Sequence, residues 1–199
     1  MAKTNGATQA SALVALVTLA ALVATMAVGT TALPFSGSPT INYNQTFYIY
    51  SSAWNSYCVA STTPGTLSNL RCDVGLSTPA GASQFYIGGG CGPVPSSALI
   101  NTYINLVGGL YCYIYPPANS PMLAIWCNHQ GDPGPQYQIS NINATTDGWL
   151  HGGTTAIQFR SWVGGTNGWC SAQPASNGAY VQCNRASVGS WETFYYVPA

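Results

Sequence analysis

Charge is what this chain has least of. Among 199 residues, Lys and Arg supply four and Asp and Glu another four, so 4% are charged and the formal net charge is zero. A typical soluble domain carries about 25%. Binding nucleic acid through its phosphates needs a row of cations, and four cannot make one. Disorder is excluded too, because 47% of the residues are hydrophobic, with six Trp, thirteen Tyr and five Phe. The 22 Gly and 13 Pro follow no triplet period, which rules out collagen. No Cys-x-x-Cys pair occurs, and the two histidines, His129 and His151, do not cluster with cysteine pairs, so the spacing of a zinc site is missing. There is no G-x-S-x-G nucleophile elbow and no glycine-rich phosphate loop before a helix.

The first charge is Lys3 and the next is Arg71. Inside that gap, Ala10 to Leu33 is rich in Ala, Leu and Val, with Ser11, Thr18, Thr25, Thr30 and Thr31 as its polar residues. An α-helix needs roughly 20 residues to cross the hydrocarbon of a bilayer. A secretory signal peptide competes with this reading, but its apolar stretch is shorter, about 7–15 residues. The reading adopted is a tail (1–9), a membrane helix (10–33) and a linker (34–45). Lys3 places the N-terminus in the cytoplasm and everything after Pro34 on the far side. Ser11, Ala15, Thr18, Leu22, Thr25 and Gly29 share one helical face, where small side chains let a second helix approach. An Ala-rich span also has small residues on every face, so the stripe is a hint.

From Thr46 onward the chain repeats itself three times. The first copy runs Thr46–Tyr50, Ser56-Tyr57-Cys58-Val59, Leu70-Arg71-Cys72-Asp73 and Gln84-Phe85-Tyr86-Ile87. The second runs Thr102–Leu106, Leu110-Tyr111-Cys112-Tyr113, Ile125-Trp126-Cys127-Asn128 and Gln136-Tyr137-Gln138-Ile139. The third runs Ala156–Arg160, Gly168-Trp169-Cys170-Ser171, Val181-Gln182-Cys183-Asn184 and Thr193–Val197. Each copy has four short β-type runs in the same order. Asp or Asn follows the second cysteine, and an aromatic closes the copy. Turn formers such as Pro64-Gly65, Gly131-Asp132-Pro133-Gly134 and Asn177-Gly178 separate the runs. No stretch after Pro34 has a helical period. The domain is expected to be all-β.

Three four-stranded units over residues 46–199 resemble the β-trefoil, and within it the fascin-like and ricin-B-like families, whose units also end in an aromatic-x-aliphatic strand. Phe85-Tyr86-Ile87, Tyr137-Gln138-Ile139 and Phe194-Tyr195-Tyr196 occupy that place here. The resemblance implies a six-stranded barrel closed by three hairpins, with repeats near 46–90, 101–141 and 155–199. A β-sandwich is the rival architecture, and it leaves the regular spacing of the copies unexplained.

Six of the seven cysteines fall into the repeat, one pair per copy, on what become neighbouring hairpin strands. Opposed Cβ atoms there lie about 4.5–5.5 Å apart, within reach of a bridge. The expected pairs are Cys58–Cys72, Cys112–Cys127 and Cys170–Cys183; six reduced, buried thiols are the alternative. Cys91, in Gly88-Gly-Gly-Cys-Gly92, belongs to no copy and is either free or linked to another chain.

The titratable groups after residue 45 are few: Asp73, Asp132, Asp147, Glu192, Arg71, Arg160, Arg185, His129 and His151. His129 with Asp132, or His151 with Asp147, makes a conceivable dyad, yet neither accompanies a nucleophile motif. The chain is read as a non-enzyme that requires no cofactor or metal. The ricin-B resemblance implies a sugar site with an acid after the first hairpin strand and a Gln-x-Trp motif. Cys58, Cys112 and Cys170 are followed by Val-Ala, Tyr-Ile and Ser-Ala, and Gln84 and Gln136 directly precede an aromatic. That site is not carried over. Trp54, Trp126, Trp149, Trp162, Trp169 and Trp191 either fill the barrel and cap or stack on sugar rings. Asn44-Gln45-Thr46 and Asn143-Ala144-Thr145 are glycosylation sequons, though such triplets also arise by chance in an Asn/Thr-rich chain. The function expected is a membrane-anchored structural or interaction module within a larger membrane or virion assembly. Its partners are lipid and protein, not nucleic acid, and the alternative is a tethered glycan-binding module.

Overall fold

The computed structural model describes residues 32–60, 69–98, 103–115, 124–130, 139–142, 146–161, 168–173 and 181–199. Most of the apolar run (10–31), with Ser11, Ala15, Thr18, Thr25 and Gly29, lies outside them, as do Asp132, Asn143 and Trp162. Among the described residues no helix is long and apolar enough to cross a membrane. The first copy supplies β1 (Thr46–Ser51), β2 (Ser56–Tyr57), β3 (Val59–Ala60), β4 (Leu70–Arg71) and β5 (Gln84–Gly88). A short β6 (Ser97–Ala98) precedes β7 (Tyr103–Leu106), β8 (Leu110–Tyr115), β9 (Ala124–His129) and β10 (Ile139–Ile142) of the second. The third holds β11 (Gln158–Ser161), β12 (Trp169–Ala172), β13 (Val181–Arg185) and β14 (Phe194–Pro198).

The first and last strands of the copies build the barrel. Strand β1 pairs antiparallel with both β14 and β5, β5 continues to β7, and β10 pairs with β11. Ile157, just before β11, exchanges backbone hydrogen bonds with Phe194 of β14 at 2.8 and 3.0 Å. Alternation explains which side chains face inward. Phe47 and Ile49 of β1, Phe85 and Ile87 of β5, Ile104 and Leu106 of β7, Phe159 of β11, and Phe194 and Tyr196 of β14 are all buried. Phe47 stacks on Tyr196 with ring centroids 4.0 Å apart, and Phe159 stacks on Phe194 at 4.6 Å.

The middle strands of the copies form hairpins, β3–β4, β8–β9 and β12–β13. They meet one another as well: Gln182 of β13 pairs with Ala124 of β9, and Asn69 beside β4 bridges to Trp126 of β9. This is the β-trefoil. Each hairpin carries its disulfide, Cys58–Cys72, Cys112–Cys127 and Cys170–Cys183, with paired Cα atoms no more than 4.0 Å apart.

The register slips by one residue at two of these bridges. Tyr111 opposes His129 while Tyr113 opposes Trp126, and Trp169 opposes Arg185 while Ser171 opposes Gln182. One residue on one strand therefore faces two on the other, Cys112 against Cys127 and Asn128 and Cys170 against Cys183 and Asn184, which is a β-bulge. The extra residue falls beside Asn128 and Asn184, positions the repeat marks with Asp or Asn after the second cysteine.

The opposite end of the barrel is closed by the segments between copies. Ile41 N–H donates to Leu150 O (2.8 Å), Leu150 N–H to Val94 O (2.7 Å) and Val94 N–H to Ile41 O (2.9 Å). All three side chains are fully buried. Residues 34–45, which look like a spacer by composition, thus supply a third of this closure. Gly37 O accepts from Thr154 N–H at 2.7 Å and Pro39 O from Gly152 N–H at 2.9 Å. Gly153 sits at φ +57, and a Cβ there would collide with Gly37 O. On the barrel's outer wall Leu33 and Phe35 pack against Tyr50, Tyr57, Tyr195 and Val197, with the Phe35 and Tyr50 rings edge-on at 5.5 Å.

Candidate functional site: an aromatic platform between the third and first copies

None of the five described tryptophans is buried in the barrel. Phe, Tyr and Ile fill it instead, and the indoles stand half-buried or exposed. Trp149 is exposed in the junction before the third copy, and Trp126 is half-buried on β9. Trp54 and Trp191 come together. Trp191 lies in a 3-10 turn, Ser190–Glu192, held by Gly189 N–H donating to Glu192 Oε2 at 2.7 Å and Thr193 Oγ1 donating to Gly189 O at 3.0 Å. Trp54 lies in the β1–β2 turn, where Asn55 takes φ +47.

Three bonds stitch these turns across the seam between copies. Trp54 Nε1–H donates to Ala172 O at the end of β12 (3.0 Å), while Ser52 donates from its N–H and Oγ to Thr193 O at 3.4 and 3.2 Å. The indoles meet edge to face, centroids 5.6 Å apart at 71°, leaving Trp191 38% exposed. A polar strip of the same hairpin lies alongside. Gln173 Nε2 donates to Ser171 Oγ (3.1 Å) and to Asn184 Oδ1 (3.0 Å), and Asn184 Nδ2 donates to Gln182 Oε1 at 3.5 Å.

The bulge in this hairpin decides what faces Trp169. Continued evenly from Ser171 opposite Gln182, the ladder would set Trp169 against Asn184; the extra residue sets it against Arg185. On its other side Trp169 opposes Arg160 of β11, whose guanidinium carbon sits 5.2 Å from the indole centroid. Arg185 reaches back to the platform, its Nε 3.3 Å from Oε1 of Glu192, the residue after Trp191. Glu192 is buried whereas the Arg185 side chain is 56% exposed. In the sequence Arg160 and Arg185 are simply two of the few titratable groups. Their convergence on one indole depends on a strand register that the sequence does not display.

The other candidate groups are dispersed. Arg71 holds Asp73 through two contacts of 3.2 Å on the surface. His129 lies on β9, and its expected partner Asp132 is outside the described residues. Asn44 is exposed at φ +62, its Nδ2 donating to Gly90 O at 3.4 Å. Cys91 is a free, exposed thiol in the loop whose Gly90 abuts the Tyr43 ring.

Asp147 and His151 do meet. His151 Nε2 lies 2.8 Å from Asp147 Oδ2, and Nδ1 lies 2.9 Å from Ser38 O. With both ring nitrogens facing acceptors, the imidazole is committed to bridging residues 37–40 to the junction before the third copy. No ring nitrogen is left to take a proton from a substrate. The Ser38 carbonyl, and then the Asp147 carboxylate, raise the His151 pKa above its ordinary 6.5. The Trp149 N–H and His151 lower that of Asp147 below 3.8. The raised histidine contributes stability that is complete below pH 6.5 and lost as pH rises through its folded value. The lowered carboxylate contributes above pH 3.8 and is lost on acidification. Melting temperature measured across pH 5–8 is therefore expected to fall toward the alkaline side, and His151→Gln to flatten that slope.

Comparison with protein-family models finds no match, and comparison with curated proteins finds none either. Solved structures share the fold. The chain is similar to an SDF2-like protein from Arabidopsis thaliana, with a TM-score of 0.59 and 10% identity over 80% of this chain and 95% of the other. It is similar to the receptor-binding domain of botulinum neurotoxin type G at 0.55 and 9% identity, covering 80% of this chain and 44% of that one. The Saccharomyces cerevisiae protein O-mannosyltransferase Pmt1-Pmt2 complex, bound to its sugar donor, gives 0.57 and 10% identity over 85% of this chain and 26% of the other. The chain thus spans less than half of the last two. These likenesses concern the fold, an all-β trefoil.

Proposed function

We propose that the chain is a non-catalytic recognition module whose ligand is a glycan laid on the Trp54–Trp191 platform. The observation that carries the reading is an exposed indole, backed by a second one and stitched across two copies, beside a strip of side-chain amides. A pyranose ring offers an apolar face to an indole and a rim of hydroxyls to amides. A surface short of charge suits a hydroxyl-rich partner, and the type G neurotoxin domain shows receptor binding from a trefoil-bearing region.

The apolar run Ala10–Leu33 adds a tether to this reading. The module stands on a membrane, N-terminus cytoplasmic and trefoil on the far side, as part of a membrane or virion assembly. One experiment covers both parts. The full chain, reconstituted into phosphatidylcholine vesicles, is floated on a density gradient and then probed with a glycan array. Expected are co-flotation and saturable binding that Trp191→Ala weakens by about 10- to 100-fold, the range of an aromatic hot spot. Trp149→Ala, at the other exposed indole among the described residues, leaves binding unchanged. Equal binding by the Trp191→Ala protein ends the platform reading, and failure to float ends the tether.

A further inference from the structure

We infer that the platform selects acidic saccharides, with Arg185 meeting the carboxylate or sulfate of a sugar stacked on Trp191. This rests on the glycan reading and specifies its ligand. The chain has three arginines. Arg71 is held by both oxygens of Asp73, away from the seam. The other two converge, because the register of β11, β12 and β13 sets Arg160 and Arg185 on either side of Trp169. Arg185 is thus one of two cations that the register brings to this indole.

Among the described residues Glu192 is the carboxylate set against Arg185, and its geometry orients Arg185 rather than occupying it. It is buried and accepts from Gly189 N–H at 2.7 Å through Oε2, while its Oε1 lies 3.3 Å from Arg185 Nε as an ion pair without a hydrogen bond. A guanidinium has five N–H donors. The ion pair therefore leaves those donors, on a side chain 56% exposed, to form the fork that matches a carboxylate or sulfate. That fork is a contact an acidic ligand can make and a neutral one cannot, so acidic ligands gain and neutral ones do not.

The test uses pairs that differ in charge alone: hyaluronan hexasaccharide against its carboxyl-reduced form, and 3′-sialyllactose against lactose. Affinities are measured on the full chain by calorimetry at low and high salt, about 50 and 500 mM. The acidic member of at least one pair is expected to bind about tenfold tighter at low salt, as a charge-assisted contact gives. That advantage disappears at high salt and in Arg185→Gln, persists in part in Arg185→Lys, and leaves the neutral member unmoved. The salt series needs no variant, so it decides the matter even where Arg185→Gln unfolds the turn. Equal affinities within every pair, or an advantage indifferent to salt, overturn the inference while leaving the glycan reading intact. Binding of neither member of any pair overturns both.

Discussion

Treated with excess thiol, the domain is expected to lose its cooperative unfolding transition near physiological temperature. Each bridge closes a short loop, its cysteines 14, 15 and 13 positions apart. By the chain-entropy account a loop of that size is worth about 3 kcal/mol. Three of them approach the whole net stability of an ordinary domain, about 5–15 kcal/mol. The sulfurs also sit where the hairpins meet, and all six cysteines are at most 3% exposed. Removing one bridge as Cys170→Ala with Cys183→Ala isolates a single copy; it should cost about 2–4 kcal/mol and several degrees of melting temperature. A reduced protein that melts as the oxidised one does would mean that hairpin packing alone holds the cap.

The largest single-residue effect is expected at Phe47. Its ring is fully buried, stacks on Tyr196 at 4.0 Å and lies 6.5 Å from Phe85. Strand β1 is the one paired with both the end of the chain and the end of its own copy, so Phe47 packs where the first and third copies close the barrel. Truncation leaves a cavity that the surrounding stacked rings cannot collapse to fill. Phe47→Ala should cost about 3–5 kcal/mol and lower the melting temperature by on the order of 10 °C. Val107→Ala, at an exposed turn, should stay within about 0.5 kcal/mol. Chemical denaturation of the two variants checks the contrast.

The repeat made the hairpins and barrel strands readable, because period-two patterning and turn residues are local signals. It also pointed to the sulfur pairs, since cysteines on adjacent hairpin strands are near one another by geometry. What stayed hidden is non-local. Residues 34–45 look like a spacer by their Pro, Gly and Ser content, yet Ile41 bonds through its backbone to Val94 and Leu150, and no composition reveals such a partner. The tryptophans were ambiguous for another reason: an indole suits a core or a surface equally well. Those at Trp54, Trp149 and Trp191 stand in turns and junctions rather than at inward strand positions, and that placement is what leaves them outside the barrel. The Arg160–Trp169–Arg185 alignment required knowing that β13 carries an extra residue.

The three-way closure of Ile41, Val94 and Leu150 has a kinetic consequence. Each of these residues both gives and receives one main-chain bond, so the circle cannot be completed until the junction before the last copy exists. During synthesis the first two copies can form their hairpins early, since those contacts are near in sequence. The barrel floor has to wait. A ribosome-bound chain ending before Leu150 keeps an open, apolar mouth at that end, and it is through this mouth that a stalled or shortened product would aggregate or recruit a chaperone.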